Sequence, residues 1–410
     1  MEIAGVAVAF GSVMYLVSRN VSVALSLLIG ACIGGLLSGM GLAAFGVAAL
    51  HALFDPLTIE LAIAVALISG LGKAMKASGD LERMIDSLVS LFRSPKLLTM
   101  LLPALIGTIN VPGGAIMSAP MVEANAKSLQ LPADIKAAVN LFYRHIGYFA
   151  YPLYSSLILL NELLDIPRLA VIRSNVLVML AGLVVGPFVF FRGVDDPRVS
   201  GTKREGSLEA IKNFFLGFAP ILVVVGLVLV FGVPFYLAAA IGAAAALTRG
   251  LPDQDRLKAL GQRARTFVTQ WVDYKLALVI FGVMLFKSVI ENSGVVGILA
   301  ESLFAYGTPL PILVVILGLI TAYVAGAHMV ATGILAALFA PLIPQSALAP
   351  YTTLLFTAII TGYIVSPIHL CAVLTNQYFG AKYSQVVKNL ALPLLAMLLT
   401  ALIQLFVAIW

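Results

Sequence analysis

The segment Gly147-Tyr148-Phe149-Ala150-Tyr151-Pro152 interrupts one long apolar run, and Gly362-Tyr363-Ile364-Val365-Ser366-Pro367 interrupts another. Proline removes a backbone hydrogen-bond donor and keeps the residue before it out of the α region. Each run is still long enough to cross a bilayer. We therefore predict one discontinuous spanning helix over about 134–160 and a second over about 351–377.

These two breaks belong to a longer internal repeat. The same offset of 215 positions relates six pairs of identical residues, which are Ser78 and Ser293, Gly79 and Gly294, Gly147 and Gly362, Tyr148 and Tyr363, Pro152 and Pro367, and Asn161 and Asn376. So many matches in one register indicate an internal duplication. We predict repeat one over 1–200, a cytoplasmic linker over 201–213 and repeat two over 214–410.

The composition places the chain in a membrane. Of its 410 residues, 61% are hydrophobic and only 11% are charged, against about 25% charged in an average soluble domain. The mean hydropathy is +1.05, which excludes a soluble globular protein and a disordered one. The apolar runs are continuous and do not alternate, so we predict an all-α polytopic membrane protein.

Cys32 and Cys371 both lie in apolar runs, and we expect neither a disulfide framework nor a metal cluster from them.

Two further apolar runs, 97–126 and 310–343, have a polar, glycine-rich centre, at 108–114 and 321–328 respectively. Non-helical backbone at membrane depth is tolerated only where it is buried in protein or lines a cavity. We therefore predict that both runs are re-entrant helical hairpins. Each repeat then has five transmembrane helices, one hairpin and one discontinuous helix.

Five crossings per repeat place the second repeat in inverted topology relative to the first. With both termini on one side, the opposite side receives about twenty of the 25 lysines and arginines, most of them in segments 73–96, 127–136, 192–212 and 249–265. The positive-inside rule makes that side cytoplasmic, so both termini are predicted to be extracytoplasmic in the cytoplasmic (inner) membrane. The net charge of +6 reflects this bias, and we expect no nucleic-acid partner. The N-terminus lacks a basic n-region, so we expect its first apolar segment to be retained as a span.

Inverted repeats with broken helices are the architecture of secondary transporters. The chain also resembles a known group: the runs 110–114, Asn-Val-Pro-Gly-Gly, and 366–371, Ser-Pro-Ile-His-Leu-Cys, resemble the ion transporter superfamily. That group includes the divalent anion:sodium symporters, the gluconate and arsenite transporter families and the large membrane subunits of tripartite carriers. The resemblance points to a poorly characterised branch, a domain-of-unknown-function family.

The resemblance implies a homodimer in which spans one to three of each repeat form a scaffold. The hairpins and broken helices would form a transport domain that moves as an elevator. The divalent anion symporters carry a Ser-Asn-Thr motif in each hairpin, which binds sodium and carboxylate. Here Thr108-Ile109-Asn110 matches that motif in part, and Gly326-Ala327-His328 does not match it. The substrate and the coupling ion therefore stay open.

Arg144 is the strongest candidate for binding a substrate. If its helix starts near Pro132, Arg144 lies about 18 Å into the helix at 1.5 Å per residue, near the middle of a core of about 30 Å. A charge there is costly and usually functional. We predict that its guanidinium binds an anionic substrate, because it matches a carboxylate or phosphate. The alternative is an internal ion pair with Asp55, Glu60 or Glu123.

The other candidate residues lie at the breaks and hairpin tips. Histidine binds anions or carries a proton near neutral pH, although a buried histidine is also a common structural donor. The predicted substrate-binding residues are Asn110, Gly113, Gly114, Arg144, His145, His328, Ser366 and His369. The predicted coupling-ion residues are Thr108, Asn110, Thr332, Thr375 and Asn376, and the alternative role for these small polar groups is to cap broken helices.

We therefore predict a secondary active transporter of a small anion of the carboxylate type, driven by sodium or protons. We expect no enzyme activity and no cofactor beyond a coupling ion, because no Walker A, His-Glu-x-x-His or Gly-x-Ser-x-Gly motif occurs. The expected partners are the anion, the lipid bilayer and a second copy of the chain. The alternatives are an ion channel lined by the same breaks, and a membrane subunit or scaffold of a larger complex.

Overall fold

A computed structural model of the protein describes residues 2–19, 21–108, 115–197, 207–292 and 309–409. All the regular elements in these ranges are helices, so the prediction of an all-α fold is confirmed. Five helices in the described ranges are long and apolar enough to cross a membrane, namely Pro56–Ala77, Arg168–Phe190, Ser207–Leu229, Gln345–Ile364 and Tyr383–Ile409. Further apolar helices of 10–17 residues accompany them. The chain is therefore a polytopic membrane protein.

The described part of the first half contains α1 (Glu2–Ser18), α2 (Val23–Leu37), α3 (Leu42–Phe54), α4 (Pro56–Ala77), α5 (Asp80–Leu91), α6 (Pro95–Gly107), α7 (Ala115–Ala126), α8 (Ala133–Ile146), α9 (Ser155–Leu163) and α10 (Arg168–Phe190). The described part of the second half contains α11 (Ser207–Leu229), α12 (Phe235–Leu247), α13 (Arg256–Thr266), α14 (Tyr274–Asn292), α15 (Leu310–Ala325), α16 (His328–Phe339), α17 (Leu348–Ile364), α18 (Leu370–Phe379) and α19 (Tyr383–Ile409).

Local sequence accounts for the helix ends near the breaks. α8 ends at Ile146 and continues only as a short 3-10 turn before α9 begins at Ser155, so the gap contains Pro152. The gap between α17 and α18 contains Pro367 in the same way. The turn between α15 and α16 contains Gly326, whose φ of +56° suits glycine because it has no Cβ atom. These breaks leave helix ends such as Ile146, Ser155 and Ile364 buried in the interior of the protein.

The apolar sequence around position 55 forms two separate helices, although its hydropathy alone shows no break there. Asp55 follows the end of α3, and its carboxylate accepts a hydrogen bond from the Thr58 backbone N–H at 3.1 Å. Pro56 then occupies the first position of α4. An aspartate cap followed by proline is a strong helix start, so two helices replace one continuous span.

The helix starts repeat with the offset seen in the sequence. α6, α8, α9 and α10 begin at residues 95, 133, 155 and 168, and α15, α17, α18 and α19 begin at residues 310, 348, 370 and 383. The packing also exchanges between the halves. α2 packs against α14 while α12 packs against α4, and α9 packs against α16 while α18 packs against α7. A two-fold relation between the halves would produce this exchange, and the inversion of the second repeat stays a prediction.

Three of the segments assigned to one membrane side meet in the structure. Arg249 Nε donates to both carboxylate oxygens of Asp80, at 2.8 and 3.0 Å, and Arg263 Nη2 donates to the Ala77 carbonyl at 3.1 Å. The Lys96 backbone N–H donates to Asp196 at 3.2 Å. Segments 73–96 and 249–265 and the described residues of segment 192–212 therefore share one end of the protein. The assignment of that end to the cytoplasm stays a prediction.

Candidate functional site

A cavity of about 200 Å³ lies where the helix breaks of the two halves meet. The hairpin turn and the start of α16 form one wall, and the start of α18 forms another. Residues of α2 and α14 close the opposite side. The residues that line the cavity are Val23, Arg144, Tyr148, Leu276, Val279, Gly326, Ala327, His328, Met329, Val330, Tyr363, Leu370 and Cys371.

Arg144 places a positive charge at this cavity from the last turn of α8. Arg144 is only 2% exposed to solvent. The three carboxylates that the sequence offered as ion-pair partners have other surroundings. Asp55 caps α4, Glu123 pairs with Lys136 at 3.0 Å, and Glu60 lines a different cavity. No acidic residue in the described ranges lines the cavity that holds Arg144.

Two helix N-termini also face the cavity. α16 begins at His328 and α18 begins at Leu370, and the first residues of both helices line the cavity. Neither the N-cap residue Ala327 nor the N-cap residue His369 caps its helix with a side-chain hydrogen bond. The first N–H groups of a helix have no partner within the helix, and they carry its positive dipole end. The arrangement therefore suits an anion.

Stacked rings form the wall between the two breaks. Tyr148 stacks on Tyr154 with ring centroids 3.7 Å apart, and Tyr363 lies against His369 at 3.8 Å. Tyr363 and His369 occupy the positions 215 residues after Tyr148 and Tyr154. Sequence reasoning found the Tyr148 and Tyr363 repeat but did not assign these residues to the site. The repeat itself was the signal that could have located them.

Two of the predicted histidines make hydrogen bonds that fix their rings. His145 is fully buried, and its Nδ1 lies 2.6 Å from the Leu141 carbonyl oxygen. The carbonyl only accepts, so this nitrogen carries the hydrogen. His328 Nδ1 is hydrogen-bonded to the Ser156 hydroxyl, which joins the start of α16 to α9. His328 lines the cavity, whereas His145 and His369 are not among the residues that line it.

Ser366 has a structural place at the second break. Its hydroxyl donates to the Tyr323 carbonyl at 2.6 Å, and its oxygen accepts from the Ile368 backbone N–H at 3.4 Å. Ser366 is not among the residues that line the cavity. These bonds join the second break to the last turn of α15 and satisfy one backbone group at the break, the Ile368 N–H. The predicted role of Ser366 in substrate binding stays a prediction.

The four predicted coupling-ion residues that the structure describes, Thr108, Thr332, Thr375 and Asn376, are also not among the residues that line the cavity. The Thr108 hydroxyl donates to the Leu105 carbonyl within its own helix at 2.7 Å. Thr375 accepts a hydrogen bond from Asn140 Nδ2 at 3.0 Å. Thr332 Oγ1 and Asn376 Oδ1 are buried without a hydrogen-bond partner in the described part of the chain. The coupling role of these residues stays a prediction, and Asn110, Gly113 and Gly114 lie outside the described residues.

The structure places Cys371 beside two histidines, which the sequence did not lead us to expect. Cys371 lines the cavity, and its Sγ lies within 4.8 Å of a ring nitrogen of His145 and of His369. The expectation that no metal cluster forms from the cysteines stays a prediction, but the structure gives Cys371 two histidine neighbours that the sequence did not reveal. Residue 145 is remote in sequence from residues 369 and 371, so spacing along the chain could not reveal the cluster.

The fold is similar to that of the YdaH transporter of Alcanivorax borkumensis, whose crystal structure is described as revealing an unusual topology. The TM-score is 0.57 at 13% sequence identity, and the alignment covers 88% of each chain. At this identity the similarity concerns the fold alone.

No curated protein matches the sequence. A family profile described as "Protein of unknown function (DUF401)" matches residues 5–408. The chain belongs to the DUF401 family.

Proposed function

We propose that this protein is a secondary active transporter that carries a small anion of the carboxylate type across the cytoplasmic membrane. The observation that carries the proposal is the cavity that joins Arg144 to the N-termini of α16 and α18. Three sources of positive potential meet there, and no acidic residue in the described ranges lines the cavity. A buried site of this kind favours an anion over a cation or a neutral solute.

A carboxylate fits the donors of this site. The planar guanidinium of Arg144 presents two parallel N–H groups, which match the two oxygens of a carboxylate. The first N–H groups of α16 have no hydrogen-bond partner within the helix, and they supply further donors to a second anionic group or to a hydroxyl. The ring of Tyr363 and the side chains of α14 give the remaining apolar surface of the cavity, as in most small-molecule sites.

The position of the cavity supports alternating access. It lies between α2 and α14 on one side and the hairpin and broken helices on the other. Movement of the hairpin and the broken helices past α2 and α14 would carry a bound anion from one face of the membrane to the other. The proposal includes coupling to sodium or protons, a homodimer and a place in the ion transporter superfamily. The similarity in fold to a protein described as a transporter supports this proposal.

The test is ligand-dependent stabilisation of the detergent-purified protein across a panel of anions. Each anion is added with and without sodium at two pH values, because a ligand that binds only the folded state raises the apparent melting temperature. We expect a small carboxylate to give the largest increase. A response confined to cations or neutral solutes would contradict the anion site.

Transport itself is tested by uptake of the stabilising anion into proteoliposomes. A secondary transporter accumulates the anion above its equilibrium level when a sodium or proton gradient is imposed, and its rate saturates with substrate concentration. A channel would only equilibrate the anion. A membrane scaffold would give no uptake above that of empty liposomes.

A further inference from the structure

His145, His369 and Cys371 form a compact buried cluster next to the cavity. One ring nitrogen of each histidine and the Cys371 Sγ lie within 4.8 Å of one another. His145 is fully buried, and His369 and Cys371 are 1% and 6% exposed. Imidazole nitrogen together with thiolate sulfur is a ligand set that soft transition-metal ions prefer. Of the three residues only Cys371 lines the cavity, and the donors that we assign to the anion are Arg144 and the backbone N–H groups at the helix starts.

The hydrogen bonding of His145 prepares its second nitrogen for a ligand. Nδ1 donates to the Leu141 carbonyl oxygen at 2.6 Å, so Nε2 keeps its lone pair. Nε2 is buried and has no hydrogen-bond partner in the described part of the chain. Metal-binding histidines commonly donate their other N–H to a backbone carbonyl. A buried acceptor without a partner costs free energy, and a metal ion would remove that cost.

The spacing of the three atoms suits an ion after a small adjustment. Nitrogen and sulfur ligands lie about 2.0 to 2.3 Å from a bound metal, so three ligands in a plane around one ion are about 3.5 to 4 Å apart. The limit of 4.8 Å in the structure exceeds that spacing by about 1 Å at most. Side-chain rotation at Cys371 and His369 is sufficient to close this difference.

The charge of the surroundings selects a monovalent ion. On binding, the Cys371 thiol releases its proton to solvent, because the thiolate is the form that ligates metals. A monovalent ion and one thiolate sum to zero charge, whereas a divalent ion would leave a net positive charge. Arg144 lines the same cavity, and a second uncompensated positive charge buried near it would be costly. We propose that His145, His369 and Cys371 bind one soft monovalent metal ion of the Cu(I) type.

The cavity provides a route to this site, since Cys371 lines it. A bound ion would link the last turn of α8 in the first half to the start of α18 in the second half. It would therefore stabilise the contact between the two broken helices. This site does not depend on the identity of the anion, and metal binding is measured without any anion present.

The test is titration of the full-length, detergent-purified protein with Cu(I) under anaerobic conditions, in competition with a coloured Cu(I) chelator. We expect one equivalent to bind to the wild-type protein and the melting temperature to rise with occupancy. X-ray absorption at the copper edge should show one sulfur and two nitrogen ligands. Tighter binding of Zn(II) than of Cu(I) would overturn the assignment to a monovalent ion.

The chain contains its own matched controls. Cys371→Ser and His145→Gln should weaken Cu(I) binding at least tenfold, whereas Cys32→Ser and His51→Gln should leave it unchanged. Cys32 is exposed, and His51 is an exposed residue of α3. If Cys371→Ser binds Cu(I) as tightly as the wild type does, the proposal is wrong. Should a variant not fold, the ligand set found by absorption on the wild-type protein decides the question alone.

Discussion

Gly107, the last residue of α6, lies so close to Arg144 that a Cβ atom at position 107 would be 2.0 Å from the Arg144 carbonyl oxygen. Two non-bonded heavy atoms cannot approach to this distance without overlap. α6 therefore contacts the last turn of α8 only because residue 107 has no side chain. The end of α6 therefore fixes the backbone position of the residue on which we base the anion site.

Gly107→Ala should separate α6 from α8 and displace Arg144. Overpacking of this kind costs about 1–3 kcal/mol of folding free energy, and we expect a lower melting temperature together with weaker anion binding. Gly147→Ala is the control, because a Cβ at that position meets no atom within 4 Å and the residue is also at the end of α8. Equal effects of the two substitutions on the melting temperature would contradict this close contact.

Arg144→Ala should abolish anion-dependent stabilisation. Removal of one partner from a buried, hydrogen-bonded charge pair costs about 2–5 kcal/mol, so the dissociation constant should rise at least about thirtyfold. Arg144→Lys keeps the charge but not the planar fork, and it should recover only part of the affinity.

The control for this substitution is Arg173→Ala, since Arg173 is an exposed residue of α10. Its affinity for the anion should equal that of the wild type. Full uptake by Arg144→Ala in proteoliposomes would show that Arg144 does not bind the substrate.

The ion pair between Asp80 and Arg249 should contribute to stability. The Asp80 side chain is 1% exposed, and Arg249 lies 2.8 Å from it. Arg249→Ala leaves a buried carboxylate with fewer donors, so we expect a loss of about 1–3 kcal/mol and a lower melting temperature. Arg83→Ala serves as the control because Arg83 is 45% exposed and 3.7 Å from the same carboxylate. Exposed pairs of that kind contribute about 0–1 kcal/mol.

The membrane orientation is testable with cysteines introduced one at a time into a Cys32→Ser background, in which the remaining Cys371 is buried. Lys258→Cys, in the exposed part of α13, should react with a membrane-impermeant thiol reagent only after the cells are permeabilised, because the positive-inside rule places this segment in the cytoplasm. Asp165→Cys, between α9 and α10, should react in intact cells. The reverse pattern would invert the whole predicted topology.

The sequence predicted the helix breaks because their causes are local. Pro152 and Pro367 act on the residues beside them, and the structure divides the chain within a few residues of each. Asp55 acts locally too, but continuous apolar sequence on both sides concealed it. The helix α5 lies within the charged segment 73–96, for which we predicted only a membrane side and no helix.

The site could be predicted only in part, because its members come together through packing between remote segments. The charge of Arg144 is conspicuous in an apolar helix, and the structure places it at the cavity. The position of Cys371 beside His145 depends on the contact between two halves of the chain, and the contact between the rings of His145 and Tyr363 does so too. Ser366 has the residue type of a binding group, but its hydroxyl bonds to a nearby backbone carbonyl.

The exchange of packing between the halves has a consequence for the origin of the protein. Arg144 belongs to the first half, while His328 and Tyr363 belong to the second, and all three line one cavity. One half of the chain therefore supplies only part of the binding surface. If the chain arose by the internal duplication that its sequence predicts, an ancestor of half this length could have built such a cavity only from two copies of its product, and assembly between chains would then have preceded the fusion.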